Sequence, residues 1–189
     1  MKRHTLLLAG AATLLGVLSV GVAEASTPAD LQDELKRLYK PSSILLENTR
    51  GDGAVLRQGT VLTVQADGLP ANLFGTVTPQ VNSPQSHIPN FPRHLRNYAR
   101  VDVSADGKMT AERGAFTLAR GTRLVILDLK VKSDSVALFT HTAQPVRLTD
   151  GRVVYGCTEF VFHLDPTTIQ RSDLAAVRGV IDRWLAPAA

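Results

Sequence analysis

The sequence predicts a mainly β protein, built as a small antiparallel barrel or strongly bent sheet, of which an SH3-like barrel is one form, with a helix at each end. Short segments alternate apolar and polar residues, as strands with one buried face do. Asp–Gly pairs, which favour tight turns, stand between several of these segments. Apolar residues at helical spacing flank the strand segments on both sides.

Residues 1–25 are predicted to be a cleaved secretory signal peptide, which forms a helix outside the fold. Two basic residues follow Met1, and the seventeen residues from Leu6 to Val22 carry no charge. This run is just shorter than the roughly 20 residues that span a bilayer. Small residues then offer a cleavage site, made of Ala23, Ala25 and Ser26. We therefore expect an exported protein, periplasmic or secreted, with no membrane span after cleavage; the alternative is an uncleaved anchor.

Composition after residue 25 indicates one β-rich domain, residues 26–189, that is stabilised by its core. Of 21 Lys and Arg and 17 Asp and Glu, two basic and one acidic residue lie in the signal segment, which leaves a net charge of about +3. These charges form no basic stripe, which argues against a nucleic-acid partner. Exported domains are often stapled by disulfides, but Cys157 is the single cysteine, so no internal disulfide can form.

The first helix is predicted at about residues 28–39. Thr27, with Asp30 three residues later, forms a capping-box pattern, and Pro28 suits the first helical position. Three leucines then share one face: Leu31, Leu35 and Leu38. Pro41 ends the helix, because it removes a hydrogen bond and clashes with the preceding turn. We expect the leucine face to pack on the sheet; the alternative is a partner-binding face.

Strands are predicted within about residues 43–78 and 99–164, either in one unit or in two similar β units. The strongest strand is 123–132, where alternate residues share one face: Val125, Leu127, Leu129 and Val131. The segment 136–142 returns as its antiparallel partner. A long strand follows over 152–164, with apolar residues on one face: Phe160, Phe162 and Leu164.

A short pattern occurs twice, at Leu56–Val64 and at Leu118–Ile126, as L-x-x-G-T-x-L-x-(V/I). A glycine before an alternating strand lets the backbone bend where small barrels turn a corner. The pattern indicates either two similar β units or one common β-turn-strand arrangement used twice.

The closing helix is predicted at about residues 173–185, with Ser172 as its cap. Its apolar face consists of Leu174, Val177, Ile181 and Trp184, and the tryptophan is expected in the core.

The segment 79–97 contains four prolines among Asn, Ser and Gln, which excludes a regular strand or helix. We expect a long loop that joins the two strand regions. It is a candidate contact loop, since proline limits the entropy lost when a loop becomes ordered. The residues expected to make the contact are Phe91, Arg93, His94, Arg96 and Tyr98. The alternative is a structureless spacer.

Two stretches, GTVLTVQADGL at Gly59–Leu69 and GTRLVILDLKVKSDSVAL at Gly121–Leu138, resemble a group of uncharacterised exported bacterial β-rich proteins. The resemblance continues through Phe160–Phe162 and the closing helix. It covers most of the chain after the signal segment, and its motifs are structural. It implies export from a bacterial cell and a β-rich shape, but no activity.

Nucleophilic or metal chemistry would need Cys157 or one of four histidines: His87, His94, His141 and His163. On an extended strand Cys157 and His163 lie roughly 20 Å apart, too far for a nucleophile–base pair. The predicted hairpin places His141 opposite about residue 154 rather than opposite Cys157. The first two histidines lack the neighbouring carboxylates or thiolates of metal sites. We therefore predict no catalytic, cofactor-binding or metal-binding residue, no cofactor, and a buried, unreactive Cys157.

These observations favour a non-enzymatic exported binding or accessory module whose ligand is unknown, with an unknown protein or envelope component as its partner. One alternative is an enzyme of unrecognised type that uses Glu159, His163 or His141 in a cleft. Another is a subunit of a periplasmic or envelope assembly. The sequence leaves the oligomeric state open.

Overall fold

The computed structural model of the chain describes residues 27–45, 53–74 and 98–188. The predicted signal segment, with Ala23, Ala25 and Ser26, lies outside the described residues. The predicted fold class is confirmed: the protein is mainly β, with a curled half-barrel sheet and helices beside it. No helix in the described part of the chain is long and apolar enough to cross a membrane.

The described helices are α1 (Pro28–Leu38), α2 (Pro166–Gln170) and α3 (Leu174–Asp182). The described strands are β1 (Ser43–Ile44), β2 (Val55–Arg57), β3 (Val61–Val64), β4 (Leu69–Leu73), β5 (Ala99–Val103), β6 (Met109–Ala111), β7 (Phe116–Leu118), β8 (Arg123–Val131), β9 (Ser135–Thr142), β10 (Val146–Arg147), β11 (Val153–Val154), β12 (Gly156–His163) and β13 (Leu185–Pro187).

The main sheet has the strand order β13-β3-β8-β9-β12-β4-β7. Strand β5 runs parallel to β12, beyond the short stretch where β12 pairs with β4, and β6 pairs with β5. Strands from both sides of residues 75–97 therefore share one sheet. The pairs β1–β2 and β10–β11 form separate hairpins, and β7 is left as the last strand at one edge of the main sheet.

The two copies of the repeated pattern pair with each other, since β3 is antiparallel to β8. Leu62 lies opposite Leu124, its equivalent in the other copy, and both are buried. The glycines of the two copies have different structural roles. A Cβ at Gly59 would lie 1.9 Å from the Lys40 carbonyl oxygen, whereas Gly121 occupies a turn with a φ of +86° and open space around it.

A β-bulge changes the predicted faces of β8. The register with β9 shifts between Ile126 and Asp128, which inserts one extra residue and reverses the alternation. Val125 therefore pairs with His141 on the outer face, defined here as the face of the main sheet turned away from the core. The prediction that Val125 shares a face with Leu129 is wrong for this reason.

The predicted register between β9 and β12 is also wrong. His141 lies directly opposite Cys157, not opposite residue 154. The segment between these strands is not a simple turn, because it contains the hairpin β10–β11, so β12 begins only at Gly156. The expected long strand over 152–164 is thus divided between β11 and β12.

The core lies between the inner face of the sheet and the helices α1 and α3. The predicted capping box is present: Thr27 Oγ1 accepts from Asp30 N, and the Asp30 carboxylate accepts from Thr27 N. Gln32 Oε1 accepts from Val131 N at 3.1 Å, which anchors α1 on β8. Tyr39 donates to Asp182 at 3.1 Å and joins the two helices; its burial, followed by the charge of Asp182, raises the pKa of its phenol.

The closing helix begins one residue later and ends three residues earlier than predicted, since Leu185 already belongs to β13. Asp173, not Ser172, is its cap, because the Asp173 carboxylate accepts from Ala176 N at 2.9 Å. Ser172 instead has a φ of 48° in the turn after α2. Val177 and Ile181 are fully buried, and Trp184 packs against the core as expected.

Candidate functional site

An open groove of about 740 Å³ lies at the edge of the sheet, beside β7. One wall is the segment 111–117, which leads from β6 into β7, and the other is the hairpin β10–β11 with its turn. Its apolar lining side chains include Pro70, Phe116, Val146 and Leu148. Its charged lining side chains are Glu112, Arg113, Arg147, Asp150 and Arg152.

The first wall is held close to β4 by a glycine. A Cβ at Gly114 would lie 2.7 Å from the carbonyl oxygen of Ala71 and 2.8 Å from its nitrogen, so a larger residue would push the wall away. Beside it, Ala115 N donates to Asn72 Oδ1 at 3.0 Å. Phe116 packs over Gly156, where an added Cβ would lie 2.5 Å from the ring. Glycine is therefore required at residue 114, and Gly156 leaves room for the Phe116 ring.

The second wall is built by the predicted Asp–Gly turn. Gly151 has a φ of +84°, and Leu148 N donates to Arg152 O at 2.8 Å to close the hairpin. Asp150 accepts from the backbone N of Arg152 at 3.0 Å and from its Nε at 2.7 Å. These bonds, the backbone one foremost, lower the pKa of the Asp150 carboxyl. Within the turn, the charge of Arg152 is therefore neutralised by Asp150.

Two guanidinium groups at the groove are not neutralised by a carboxylate in the described part of the chain. Arg113 and Arg147 are exposed, and within the described part of the chain neither forms an ion pair. Glu112 extends the neighbouring strand, where its backbone N donates to Arg100 O at 2.9 Å and its charge attracts the Arg100 guanidinium. The rim of the groove is therefore positively charged overall.

An edge strand borders the groove. Among the described residues β7 pairs with β4 alone, and an edge strand presents backbone N–H and C=O groups that another chain can pair with. The site thus combines backbone groups, apolar surface and positive charge.

A second polar cluster lies on the outer face, away from the groove. Arg100 Nε donates to Asp102 Oδ2 at 2.7 Å, and His163 Nε2 lies 2.8 Å from Asp102 Oδ1. The hydrogen bond from Arg100 is the main reason that the pKa of Asp102 falls to about 2. The three side chains are 28–42 % exposed. This is the arrangement of a surface ion-pair network, which orients its own members.

His141 and Cys157 are neighbours, but both are buried. The His141 ring is fully buried between Phe74 and Tyr155, with ring centroids 4.9 Å away on each side, and its Nδ1 donates to Thr142 O at 2.7 Å. Cys157 is free and 2 % exposed, with its Sγ 3.6 Å from Asn72 O. A reactive cysteine needs access to solvent. Burial therefore indicates packing roles for this pair, as we expected for Cys157.

Most of the predicted contact loop lies outside the described residues, namely Phe91, Arg93, His94 and Arg96. Tyr98 is described, and its ring meets that of Phe139 edge-on, with centroids 5.4 Å apart. Lys130 Nζ lies 5.5 Å from the centre of the same Phe139 ring. Tyr98 therefore packs on the outer face of the sheet.

The groove was not predicted from the sequence, and the suspected catalytic residues do not line it. Glu159, His163 and His141 all lie on the outer face instead. Two local signals were available, since Arg113 and Arg152 each stand next to a glycine that shapes a wall. In the described part of the chain, no three His, Cys, Asp or Glu side chains cluster closely enough to hold a metal ion.

Comparisons of the chain with protein-family models, with curated proteins and with solved structures each found no match. The geometry of the groove is therefore the basis of the functional proposal below.

Proposed function

We propose that this protein is a non-enzymatic binding module and that the groove beside β7 is its binding site for a polypeptide. The observation that carries the proposal is the groove itself, where an edge strand, apolar side chains and two guanidinium groups without an ion pair in the described part of the chain converge. Its volume of about 740 Å³ falls within the range of roughly 300–1,000 Å³ typical of ligand sites.

The chemistry of the lining favours binding over catalysis. Nucleophilic catalysis needs a nucleophile within hydrogen-bond reach of a base. The titratable acids of the groove are Glu112 and Asp150, and Asp150 is already bound to Arg152. The remaining charged groups are guanidinium groups, which stay protonated and serve as hydrogen-bond donors. Such a lining can hold a ligand and fix its orientation.

We further propose that the protein works outside the cytoplasm, in the periplasm or secreted, as a partner of a protein or envelope component. The support is the signal-peptide pattern of residues 1–25 and the resemblance to exported bacterial proteins. A binding module with one buried cysteine is suited to such a compartment, because it depends on neither a disulfide nor a reduced thiol.

A peptide selection tests the proposal. A library of random dodecapeptides is selected on the wild type, on Ala115→Trp and on the control Ala175→Trp. Ala115 is exposed and lines the groove, so tryptophan there fills the site, whereas Ala175 is exposed on α3. We expect the wild type and the control to enrich the same peptides and Ala115→Trp to lose them. Equal enrichment on all three proteins, or on none, contradicts the proposal.

A further inference from the structure

We infer that the occupant of the groove is an extended segment of another protein, rich in carboxylates, that adds a strand to the free edge of β7. The inference rests on the proposed function and names the chemistry of its ligand.

The charges that line the groove favour an acidic ligand. The described charges of the groove are three guanidinium groups and two carboxylates. Asp150 is bound to Arg152, and Glu112, on the first wall, is also attracted by Arg100 of the neighbouring strand, so the lining has a net charge of +1. Arg113 and Arg147 are left, one on each wall. Guanidinium groups match carboxylates with two parallel hydrogen bonds, so an acidic ligand can be held from both sides.

The backbone of the edge strand β7 favours an extended ligand. An extended peptide that pairs with a sheet edge gains affinity from main-chain hydrogen bonds. In the described residues β7 pairs on one side only, and the hairpin β10–β11 on the far wall forms its own two-stranded sheet. The groove lies between this strand and the hairpin and is open to solvent. A strand is therefore the shape of ligand that the edge accepts.

The lining of the groove also predicts the side-chain pattern of the ligand. Alternate residues of a strand point to opposite faces. One set of ligand side chains can meet the apolar surface of Phe116, Val146 and Leu148, while the other set meets the arginines. We therefore expect a ligand that alternates acidic and apolar residues.

The protein's own Pro-rich segment does not match this description. Residues 79–97 contain two arginines and two histidines but no Asp or Glu. Their charge has the same sign as the rim of the groove, which disfavours them as its ligand. A second protein chain is the better occupant.

Three labelled decapeptides with blocked ends test the inference by fluorescence anisotropy at low salt. They alternate valine with glutamate, glutamine or lysine. We expect the glutamate peptide to bind the full chain about 25-fold more tightly than the glutamine peptide, because two arginine contacts of about fivefold each multiply. We expect added salt to weaken it and the lysine peptide to bind most weakly. Equal affinity of the glutamate and glutamine peptides overturns the inference.

Variants then assign the contacts. Arg113→Gln and Arg147→Gln should each weaken the glutamate peptide by about fivefold and leave the glutamine peptide unchanged. Arg183→Gln, an exposed arginine beyond α3, is the matched control and should have no effect. Loss of affinity for both peptides in equal measure contradicts a carboxylate contact. Both arginines are exposed, so these variants are expected to fold.

The strand geometry is tested on the peptide, which leaves the protein intact. Methylation of alternate backbone amides removes the donors that pair with a sheet edge, and we expect it to abolish binding. A methylated peptide that binds as tightly as the parent excludes strand addition. The two proposals fail in different ways. If Ala115→Trp still enriches the wild-type peptides, the groove is not the site; if it loses them but the enriched peptides lack acidic residues, only the present inference fails.

Discussion

Alanine at Gly59 should cost far more stability than alanine at Gly121, although the two glycines are equivalent in the repeated pattern. A Cβ at residue 59 would lie 1.9 Å from the Lys40 carbonyl oxygen and 2.9 Å from the carbonyl carbon of Pro41. Both are backbone atoms, so the chain must move apart. That movement stretches the hydrogen bonds from Gly59 N to Ser42 Oγ, 2.7 Å, and from Thr60 N to Lys40 O, 2.9 Å.

The magnitude follows from these contacts. Overpacking costs about 1–3 kcal/mol, and each weakened hydrogen bond costs up to about 1 kcal/mol. We therefore expect Gly59→Ala to lower the free energy of unfolding by about 3–4 kcal/mol. Gly121 has no neighbouring heavy atom within 4 Å, so Gly121→Ala meets only the strain of a positive φ, about 1–2 kcal/mol.

Urea denaturation of the two variants, followed by circular dichroism, measures both costs. A change in the midpoint with an unchanged slope reports a change in stability. If Gly59→Ala unfolds within about 0.5 kcal/mol of the wild type, the size of a neutral surface substitution, the close approach to Lys40 does not exist. If Gly121→Ala is the more damaging variant, the assignment of the two glycines is reversed.

Three further predictions concern the surface, the thiol and the amino terminus. Because the pKa of Asp102 is lowered to about 2, its stabilisation is present above the unfolded value near 3.9 and is lost as the pH falls towards 2. Asp102→Asn should therefore lower the free energy of unfolding by about 1 kcal/mol at neutral pH, and the variant should lose less stability than the wild type as the pH falls towards 2. Urea denaturation at several pH values measures both effects. A variant that loses as much stability in acid as the wild type contradicts the ion pair. Cys157 should react with a disulfide reagent only after unfolding, since it is 2 % exposed, and rapid reaction of the native protein excludes the packing role. Protein exported by a bacterial host should begin at Ser26 on amino-terminal sequencing, whereas a chain that begins at Met1 contradicts the signal peptide.

The groove shows why a binding site can escape sequence reasoning. Pro70, Arg113 and Arg147 are distant in the chain and meet only because β7 pairs with β4 and the hairpin β10–β11 stands opposite. Each arginine is ordinary in its local context. Whether its charge is available depends on which carboxylates the fold brings near, such as Asp150 beside Arg152.

Features encoded within a few neighbouring residues could be determined from the sequence by itself. The capping box of Thr27 and Asp30 forms as expected, and the Asp–Gly pairs give turns in which Gly107 and Gly151 have positive φ values. Alternation in β12 correctly placed Phe160 and Phe162 on one buried face. These features depend on local sterics and on the burial of one face, so the residues involved are enough to specify them.

Register and pairing were decided by the tertiary structure. The bulge in β8 turned Val125 outward, and the hairpin inserted before β12 placed His141 opposite Cys157. The contact between Asp102 and His163 joins residues 61 apart in the chain, because β5 and β12 run parallel. A shift of one residue in register moves every side chain of a strand to the other face. Such a shift is set by how whole strands pack together, and no short stretch of sequence contains that information.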